Sequence, residues 1–465
     1  MSVDYKKVST YYLIGNFFNK GIVFLTIPIF SRILSTTDYG IVTTYNSWIG
    51  ILTMILGFAL HMGIRMSFVD FKENVEDFLS TIILFTVLCS IGTIPIVILI
   101  AEILKINVSI TLIVLCLLQA MATAILQDYS YYLMMQYRYK VRTFLMIMPN
   151  LLSVLVSIYA ILYIFEKELY LGRIIPTALI NCLFGIIIVL IVIKNGRLRI
   201  EKKYIKYGLA ISAPLILHGI ALNILSQSDR TMITVLADAS QTGIYSLIYN
   251  LGMIATVITT SMEGVWTPWF LKKMEERNIT AINKRVVDYV NLMTYAMVSL
   301  ILVAPEMVRI LADKEYWEGI IIIPPIVIAN YIIFMYTLYV NVEHFHKKIA
   351  FITTNTFVAA IVNIALNFIF IPKFGYVAAA YTTVTAYVVA LLLHAFYAKK
   401  IDPLVYPLKM FIKPLIHIGV TTCVFYVFQE SIIIRWAILV FYLSIIVICE
   451  KNKIIELFPK LRRKK

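Results

Sequence analysis

The sequence predicts an all-α, polytopic integral membrane protein with about 14 transmembrane helices. Hydrophobic residues make up 61% of the 465 residues, charged residues only 14%, and the mean hydropathy is +0.87. A soluble globular chain carries about 25% charged residues. A spanning helix needs roughly 20 mostly apolar residues, and fourteen stretches of about that length fill the chain almost end to end. Little sequence remains for a soluble domain.

Short polar segments separate the apolar stretches and set their bounds. The predicted spans lie at 9–31, 40–64, 78–101, 108–135, 143–165, 172–193, 207–236, 241–270, 286–305, 320–340, 349–371, 375–397, 409–428 and 432–449. The first stretch is not expected to be a cleavable signal peptide, because it is longer than a signal h-region and contains Asn16, Asn19 and Lys20.

Lys and Arg are distributed unevenly between the two sides of the predicted membrane. With a cytoplasmic N-terminus, and with Lys409, Lys413 and Arg435 at the span ends counted with the adjoining segments, the cytoplasmic segments hold 31 of the 41 Lys and Arg residues, the outer segments hold 7, and 3 lie inside spans. Positive residues accumulate in cytoplasmic loops, so both termini are predicted to be cytoplasmic. The net charge of +15 then orients the helices and meets anionic lipid headgroups. No nucleic-acid partner is expected.

Glycines repeat at a fixed offset. Gly40 and Gly243 each precede an isoleucine near the start of a span, Gly172 and Gly375 open two further spans, and both pairs are separated by 203 residues. A shared offset suggests duplication of a six-span unit, with the two copies related by an axis along the membrane normal. We therefore expect an N-terminal lobe at 1–200, a C-terminal lobe at 201–400, and two further helices with a basic tail at 401–465.

Polar residues inside spans are the first candidates for function, because charge in the bilayer is costly and usually faces a cavity or a partner. Lys20 lies in span 1, with Asn16 one turn earlier on the same face and Asn19 immediately before it in the chain. It could bind an anionic substrate, or it could be the structural partner of a carboxylate on a neighbouring helix.

Three further spans carry polar stripes. In span 7, Asn223, Gln227 and Arg230 share a face, and Asp229 is adjacent to Arg230. The stripe could line a cavity, or Asp229 and Arg230 could form an interfacial pair that closes the end of the helix. In span 8, Tyr249 and Glu263 follow helical spacing; Glu263 could take up a coupling cation or proton, or pair with a basic neighbour. In span 4, Asp128 lies one residue off a stripe of Gln119, Thr123, Gln127 and Tyr131; like Asp229, it is a further candidate for ion coupling.

Other residues are weaker candidates. Arg65 could meet a phosphate at the cytoplasmic mouth or could simply follow the positive-inside rule. His218 is the best histidine for protonation. The cluster of Glu343, His344 and His346 stands next to two lysines, which repel a divalent ion, so no metal site is expected. The five cysteines all fall in spans without metal-ligand spacing. No enzyme signature and no cofactor motif is recognised.

Three segments together resemble bacterial polysaccharide flippases of the Wzx type, in the multidrug/oligosaccharidyl-lipid/polysaccharide exporter superfamily. The segments are NFFNKGIVFLTIPIFSRILSTTDYGIVTTYNSWIGIL at 16–52, SQSDRTMITVLADASQTGIYSLIYNL at 226–251 and NFIFIPKFGYVAAAYTTVTAY at 367–387. They occur in the order expected for that family and cover the chain except for its last two spans.

The resemblance implies two six-helix lobes in a V around a central cavity, plus two C-terminal helices. It implies transfer of an undecaprenyl-diphosphate-linked oligosaccharide from the inner to the outer leaflet of the bacterial inner membrane, for O-antigen, capsule or exopolysaccharide synthesis. Protons or Na⁺ would drive alternating access, and a polysaccharide polymerase and chain-length proteins would be partners. Lys20, Arg65 and Arg230 match the cavity cations that family members need.

Other functions remain open from the sequence alone. A multidrug antiporter of the same superfamily would typically have twelve spans and an acidic, aromatic pocket. A peptidoglycan-precursor flippase also has fourteen spans and differs only in the sugar that it handles. A polysaccharide polymerase or ligase would need a large outer loop with catalytic residues, and a scaffold without transport activity would not explain the polar stripes.

Overall fold

The computed structural model describes residues 5–105, 108–196 and 199–451, which form fourteen α-helices and no β-strand within those ranges. The helices are α1 (Tyr5–Ile33), α2 (Thr36–Leu56), α3 (His61–Asp70), α4 (Val75–Ile103), α5 (Ile110–Met135), α6 (Tyr139–Tyr163), α7 (Leu169–Asn195), α8 (Lys202–Leu236), α9 (Ala239–Glu275), α10 (Ile279–Leu311), α11 (Ile323–Phe345), α12 (Ile349–Ile401), α13 (Ile412–Val427) and α14 (Ile432–Cys449). Eleven helical segments in the described ranges are long and apolar enough to cross a bilayer. The predicted all-α, polytopic class is confirmed.

Predicted span 2 is broken into α2 and α3. Phe58 and Ala59, in the connection, adopt left-handed φ angles of 49° and 48°, which are uncommon for residues that carry a Cβ. Within a membrane, such a break needs polar partners for the backbone groups that it releases. Ser212 of α8 supplies one of them, because its hydroxyl donates to the Ala59 carbonyl at 3.0 Å.

Predicted spans 11 and 12 form the single 53-residue run of α12, interrupted only by Gly375 with φ 59° and ψ −147°. This backbone conformation favours glycine. The side-chain oxygen Oε1 of Gln241 accepts the Tyr376 N–H at 3.1 Å, and a Cβ on Gly375 would lie 2.0 Å from the same oxygen. One glycine therefore replaces a loop between the two spans.

The chain forms two compact units. The first contains Met1–Ser246 and Thr356–Ala379, and the second contains Leu247–Asn355 and Ala380–Lys465. The first unit buries an aromatic and aliphatic core that includes Phe78, Ile125 and Leu133. The predicted lobes at 1–200 and 201–400 were inferred from the repeat in the sequence, and they stay a prediction.

The second unit is built around α10, which contacts α11, α13 and α14. Val286, Met293 and Ile301 of α10 are fully buried. Arg435 of α14 is also fully buried, and its guanidinium contacts the Glu306 carboxylate of α10. The same guanidinium donates to the Phe428 carbonyl at 3.0 Å. This ion pair attaches α14 to the core of the unit.

We expect Arg435→Met to lower the free energy of unfolding by about 3–5 kcal/mol, because it leaves the Glu306 charge buried without a partner. The double variant Arg435→Met/Glu306→Leu should lose less, since it removes both charges. The exposed pair of Arg309 and Glu430, at 3.0 Å, should contribute no more than about 1 kcal/mol. Glu430→Gln is therefore the control in denaturation measurements on detergent-solubilised protein. Equal losses for Arg435→Met and Glu430→Gln would contradict this account.

Candidate functional site

A cluster of polar side chains surrounds Asp229 in the interior of the first unit. Asp229 is 1% exposed. The Tyr245 hydroxyl donates to its Oδ2 at 2.7 Å, and the Asn367 amide donates to its Oδ1 at 2.7 Å. The same amide lies 3.2 Å from the Asn363 oxygen, which also accepts from the Ser228 hydroxyl at 3.4 Å. We call these five residues the Asp229 cluster.

Three helices build the Asp229 cluster, and the local sequence explains why its members meet. Ser228 and Asp229 are adjacent in α8, and Tyr245 lies in the second turn of α9. Asn363 and Asn367 are four residues apart in α12, so their side chains lie on one face of that helix. The chain reverses direction between α8 and α9 over only two residues, which brings Tyr245 alongside Asp229.

Chemically, the Asp229 cluster places a carboxylate among neutral hydroxyl and amide groups. Carboxylate and amide oxygens suit hard cations. The described ranges contain no group of three or more His, Cys, Asp and Glu residues that could hold a metal ion. The Asp229 carboxylate oxygens and the Asn363 amide oxygen are the oxygen ligands that the cluster could offer to a cation.

Asp128 belongs to α5, and its side chain lies next to the break between α2 and α3. Its side chain is 2% exposed and accepts a hydrogen bond from the backbone N–H of His61, the first residue of α3. Its other oxygen, Oδ2, has no hydrogen-bond partner within the described residues. The His61 ring stacks on Tyr131, with 4.7 Å between ring centroids. A carboxylate at a helix N-terminus is favoured by the helix dipole, so Asp128 holds the start of α3 in place.

Gly40 of α2 and Gly243 of α9 are the first pair of repeated glycines, and both belong to the first unit. The two helices pack closely against each other at these positions. A Cβ on Gly40 would lie 1.7 Å from the Ala239 carbonyl oxygen, and a Cβ on Gly243 would lie 2.0 Å from the Thr36 carbonyl oxygen. The approach of α2 to α9 is therefore reciprocal and is possible only with glycine at both positions. We call it the glycine contact.

Hydroxyl groups reinforce the glycine contact. Thr36 and Ser240 are 2.7 Å apart, Thr44 and Thr234 are 2.6 Å apart, and Thr234 and Thr242 are 2.7 Å apart. The offset of 203 in the sequence is the signal that singled out both glycines, but it gave no indication that the two copies touch.

The other predicted site residues have varied surroundings. The Asn223 amide and the Arg230 guanidinium donate to carbonyls of their own helix, at Gly219 (2.9 Å) and Ser226 (3.0 Å). Gln227 and Tyr249 are half-buried, and Arg65 is exposed. Glu263, in the second unit, is half-buried within hydrogen-bonding distance of Thr337. The side chains of Asn16, Lys20 and His218 lie outside the described residues.

The structure brings one predicted residue, Asp229, together with four that the sequence analysis missed. Ser228, Tyr245, Asn363 and Asn367 were not singled out. Two asparagines at a spacing of four in an apolar span are the signal that could have found the α12 half of the cluster. Nothing in the local sequence connects them to Asp229, which lies more than 130 residues earlier.

Comparison with known proteins gives the fold and the family. In structure, the chain is similar to the lipid II flippase MurJ in an inward closed conformation (TM-score 0.70, 15% identity, covering 95% of this chain and 99% of that chain). It is also similar to an inward-facing multidrug resistance MATE family transporter of the MOP superfamily (TM-score 0.59, 10% identity, covering 83% of this chain and 95% of that chain). A third match is a MOP superfamily transporter from Pyrococcus furiosus (TM-score 0.56, 12% identity, covering 86% of this chain and 96% of that chain).

No curated protein sequence matches the chain. A family model described as "polysaccharide biosynthesis protein" matches residues 6–274, which is more than half of the chain. The resemblance noted in the three sequence segments is thereby confirmed. The chain is a multi-pass membrane protein with the fold of the MOP transporters, and it belongs to the polysaccharide biosynthesis protein family.

Proposed function

We propose that the protein moves an undecaprenyl-diphosphate-linked oligosaccharide from the cytoplasmic to the outer leaflet of the bacterial inner membrane, for O-antigen, capsule or exopolysaccharide synthesis. The observation that carries this proposal is the match of residues 6–274 to a family of polysaccharide biosynthesis proteins, in a chain with a transporter fold. One solved structure whose fold aligns with 95% of this chain, at 15% identity, is a lipid II flippase, which supports a lipid substrate. Both termini are cytoplasmic in this proposal, as the 31:7 distribution of Lys and Arg indicates.

The Asp229 cluster is the proposed ion-coupling site. Its carboxylate is buried and accepts hydrogen bonds from the Tyr245 hydroxyl and the Asn367 amide, so binding of Na⁺ or a proton there would change the charge of a group in the membrane interior, where charge is costly. Binding and release of the ion would change how Tyr245 and Asn367 orient toward Asp229. α8, α9 and α12 would then shift together, which is how a small ion could drive a large transport step.

The glycine contact is the proposed outer closure. Thr36, Gly40, Ala239 and Gly243 lie at the N-terminal ends of α2 and α9, which face outward if the termini are cytoplasmic. The contact joins one helix from each half of the predicted repeat. Its separation would open the path to the outer leaflet, and its re-formation would close it.

Substrate contacts are proposed at the polar residues predicted from the sequence. Lys20 and Arg230 would meet the diphosphate or acidic sugars, Arg65 would meet the diphosphate at the cytoplasmic mouth, and Asn16, Asn223, Gln227 and Tyr249 would hydrogen-bond the sugars. Lys20→Ala and Arg230→Ala should each abolish surface glycan at normal protein abundance. Full glycan display in both variants would contradict these contacts.

Deletion of the gene in its native host tests the proposal, with surface glycan and lipid-linked intermediates both measured. We expect loss of one surface glycan and retention of its completed lipid-linked unit on the cytoplasmic side. Complementation with the wild-type gene should restore both. Intact surface glycan together with new sensitivity to cationic drugs would instead favour a multidrug antiporter.

A further inference from the structure

Glu343 and His394 form a hydrogen-bonded pair inside the second unit. Glu343 lies in the last turn of α11 and His394 in the second half of α12. Their side chains are 0% and 1% exposed, and His394 Nδ1 lies 2.8 Å from Glu343 Oε2. The sequence analysis grouped Glu343 with the neighbouring histidines, but the structure places it against a histidine 51 residues later.

The surroundings of the pair are aromatic and amide groups. Tyr336 of α11 stacks on the His394 ring at 5.5 Å between centroids, and the Asn355 amide of α12 lies 3.5 Å from His394 Nδ1. Glu343 Oε1 has no hydrogen-bond partner within the described residues. Side chains from α11 and from both halves of α12 therefore surround the pair.

Few charged groups stand near the pair. On α9, Glu263 and Tyr249 interact electrostatically with Tyr336. Glu263 is therefore one further carboxylate near the Glu343–His394 pair. Beyond the end of α11, His346 lies 3.9 Å from Asp402, and Lys347 and Lys348 follow in the chain. The described contacts of Glu343 and His394 include no Lys or Arg side chain.

The net charge of the pair decides whether it can stay buried. With one proton shared between carboxylate and imidazole, the pair is neutral, either as an ion pair or as a hydrogen-bonded acid and base. Without that proton it carries one negative charge, which an apolar interior strongly disfavours. The position in the last turn of α11 adds to this cost, because helix C-termini carry partial negative charge.

We propose that Glu343 and His394 together form a proton-binding site, which holds one proton between them in the conformation described here. The proton comes from the surrounding solution and returns to it, and no other bond is made or broken. Its release leaves a buried negative charge that water must reach, so α11 and α12 separate around the pair. A role in driving transport would rest on the proposed function, whereas proton binding itself does not.

Infrared spectroscopy of the full-length protein in lipid membranes tests this site, because a protonated carboxyl group absorbs apart from a carboxylate. The difference spectrum is recorded as the pH of the buffer is changed, for wild type, Glu343→Gln, His394→Gln and Glu263→Gln. We expect a pH-dependent carboxyl band in the wild type that disappears in Glu343→Gln, which keeps the shape and a hydrogen-bonding group.

The same band should move to a different pH in His394→Gln, which keeps the carboxyl group but removes the imidazole. It should remain in Glu263→Gln, which removes a different carboxyl group of the same unit. A set of bands that is identical in wild type and Glu343→Gln would overturn the proposal, as would a Glu343 band that His394→Gln leaves unchanged. Either result would leave the flippase proposal standing, since that proposal is tested by surface glycan and not by this spectrum.

Discussion

Gly40→Ala is expected to abolish most transport while leaving protein abundance near normal. The new Cβ would lie 1.7 Å from the Ala239 carbonyl oxygen, and a helix backbone cannot yield as the end of a flexible side chain can. The N-terminal ends of α2 and α9 must therefore move apart, and the Thr36–Ser240 hydrogen bond between them would be lost. Overpacking of this kind typically costs about 1–3 kcal/mol, and here that cost falls on the closed conformation.

Surface glycan at matched protein abundance is the measurement for Gly40→Ala, with Gly243→Ala expected to behave in the same way because the contact is reciprocal. Gly92→Ala is the matched control, since a Cβ on Gly92 of α4 would meet no atom within 4 Å. Gly92→Ala should retain wild-type glycan. Normal glycan in Gly40→Ala and Gly243→Ala would show that close approach of α2 and α9 is not needed for transport.

Asp229→Asn is expected to leave the protein folded and to weaken ion binding about ten- to hundredfold. The substitution keeps an oxygen for the Asn367 amide, and the Tyr245 hydroxyl can accept from the new amide. The negative charge is lost, and hydrogen bonds to a charged group are worth about 1.5–3 kcal/mol, with every 1.4 kcal/mol equal to about a factor of ten.

Ion-dependent stabilisation of the purified protein measures this loss directly, because a ligand that binds the folded state raises its thermal stability. Asp238→Asn is the control. Asp238 is also a carboxylate of the first unit, but it accepts from the backbone N–H and side chain of Gln241 and lies outside the Asp229 cluster. An unchanged ion response in Asp229→Asn would place the coupling site elsewhere, with Asp128 and Glu263 next to be tested.

The helices were predictable because the bilayer sets a length and a polarity that composition reveals directly. Departures from the predicted spans come from backbone geometry, which the sequence signals poorly. Phe58 and Ala59 adopt left-handed angles although neither residue type favours them, so the break between α2 and α3 could not be foreseen. Gly375 was recognised as the start of a span, but its role as the single residue that joins two spans depends on Gln241, which is 134 residues away.

The candidate site was only partly predictable, for a similar reason. Asp229 stood out because a charge in an apolar segment is costly. Its partners Tyr245 and Asn367 are common residue types that gain significance only through contact with it. Glu343 falls between the predicted spans at 320–340 and 349–371, next to His344 and two lysines, yet its side chain is fully buried against His394. Periodicity shows which face of a helix is polar, but it does not show which distant helix supplies the partner.

Reversible cross-linking of the glycine contact, in cells where lipid-linked glycan units are followed across the membrane, tests the central claim most directly. The Thr36 and Ser240 hydroxyl oxygens are 2.7 Å apart, so cysteines at these two positions are close enough to form a disulfide. Each single-cysteine variant controls for the five native cysteines. We predict that oxidation of Thr36→Cys/Ser240→Cys holds completed lipid-linked units on the cytoplasmic side and stops glycan display, and that reduction restores both. Undiminished glycan display while the cross-link is fully formed would contradict the account.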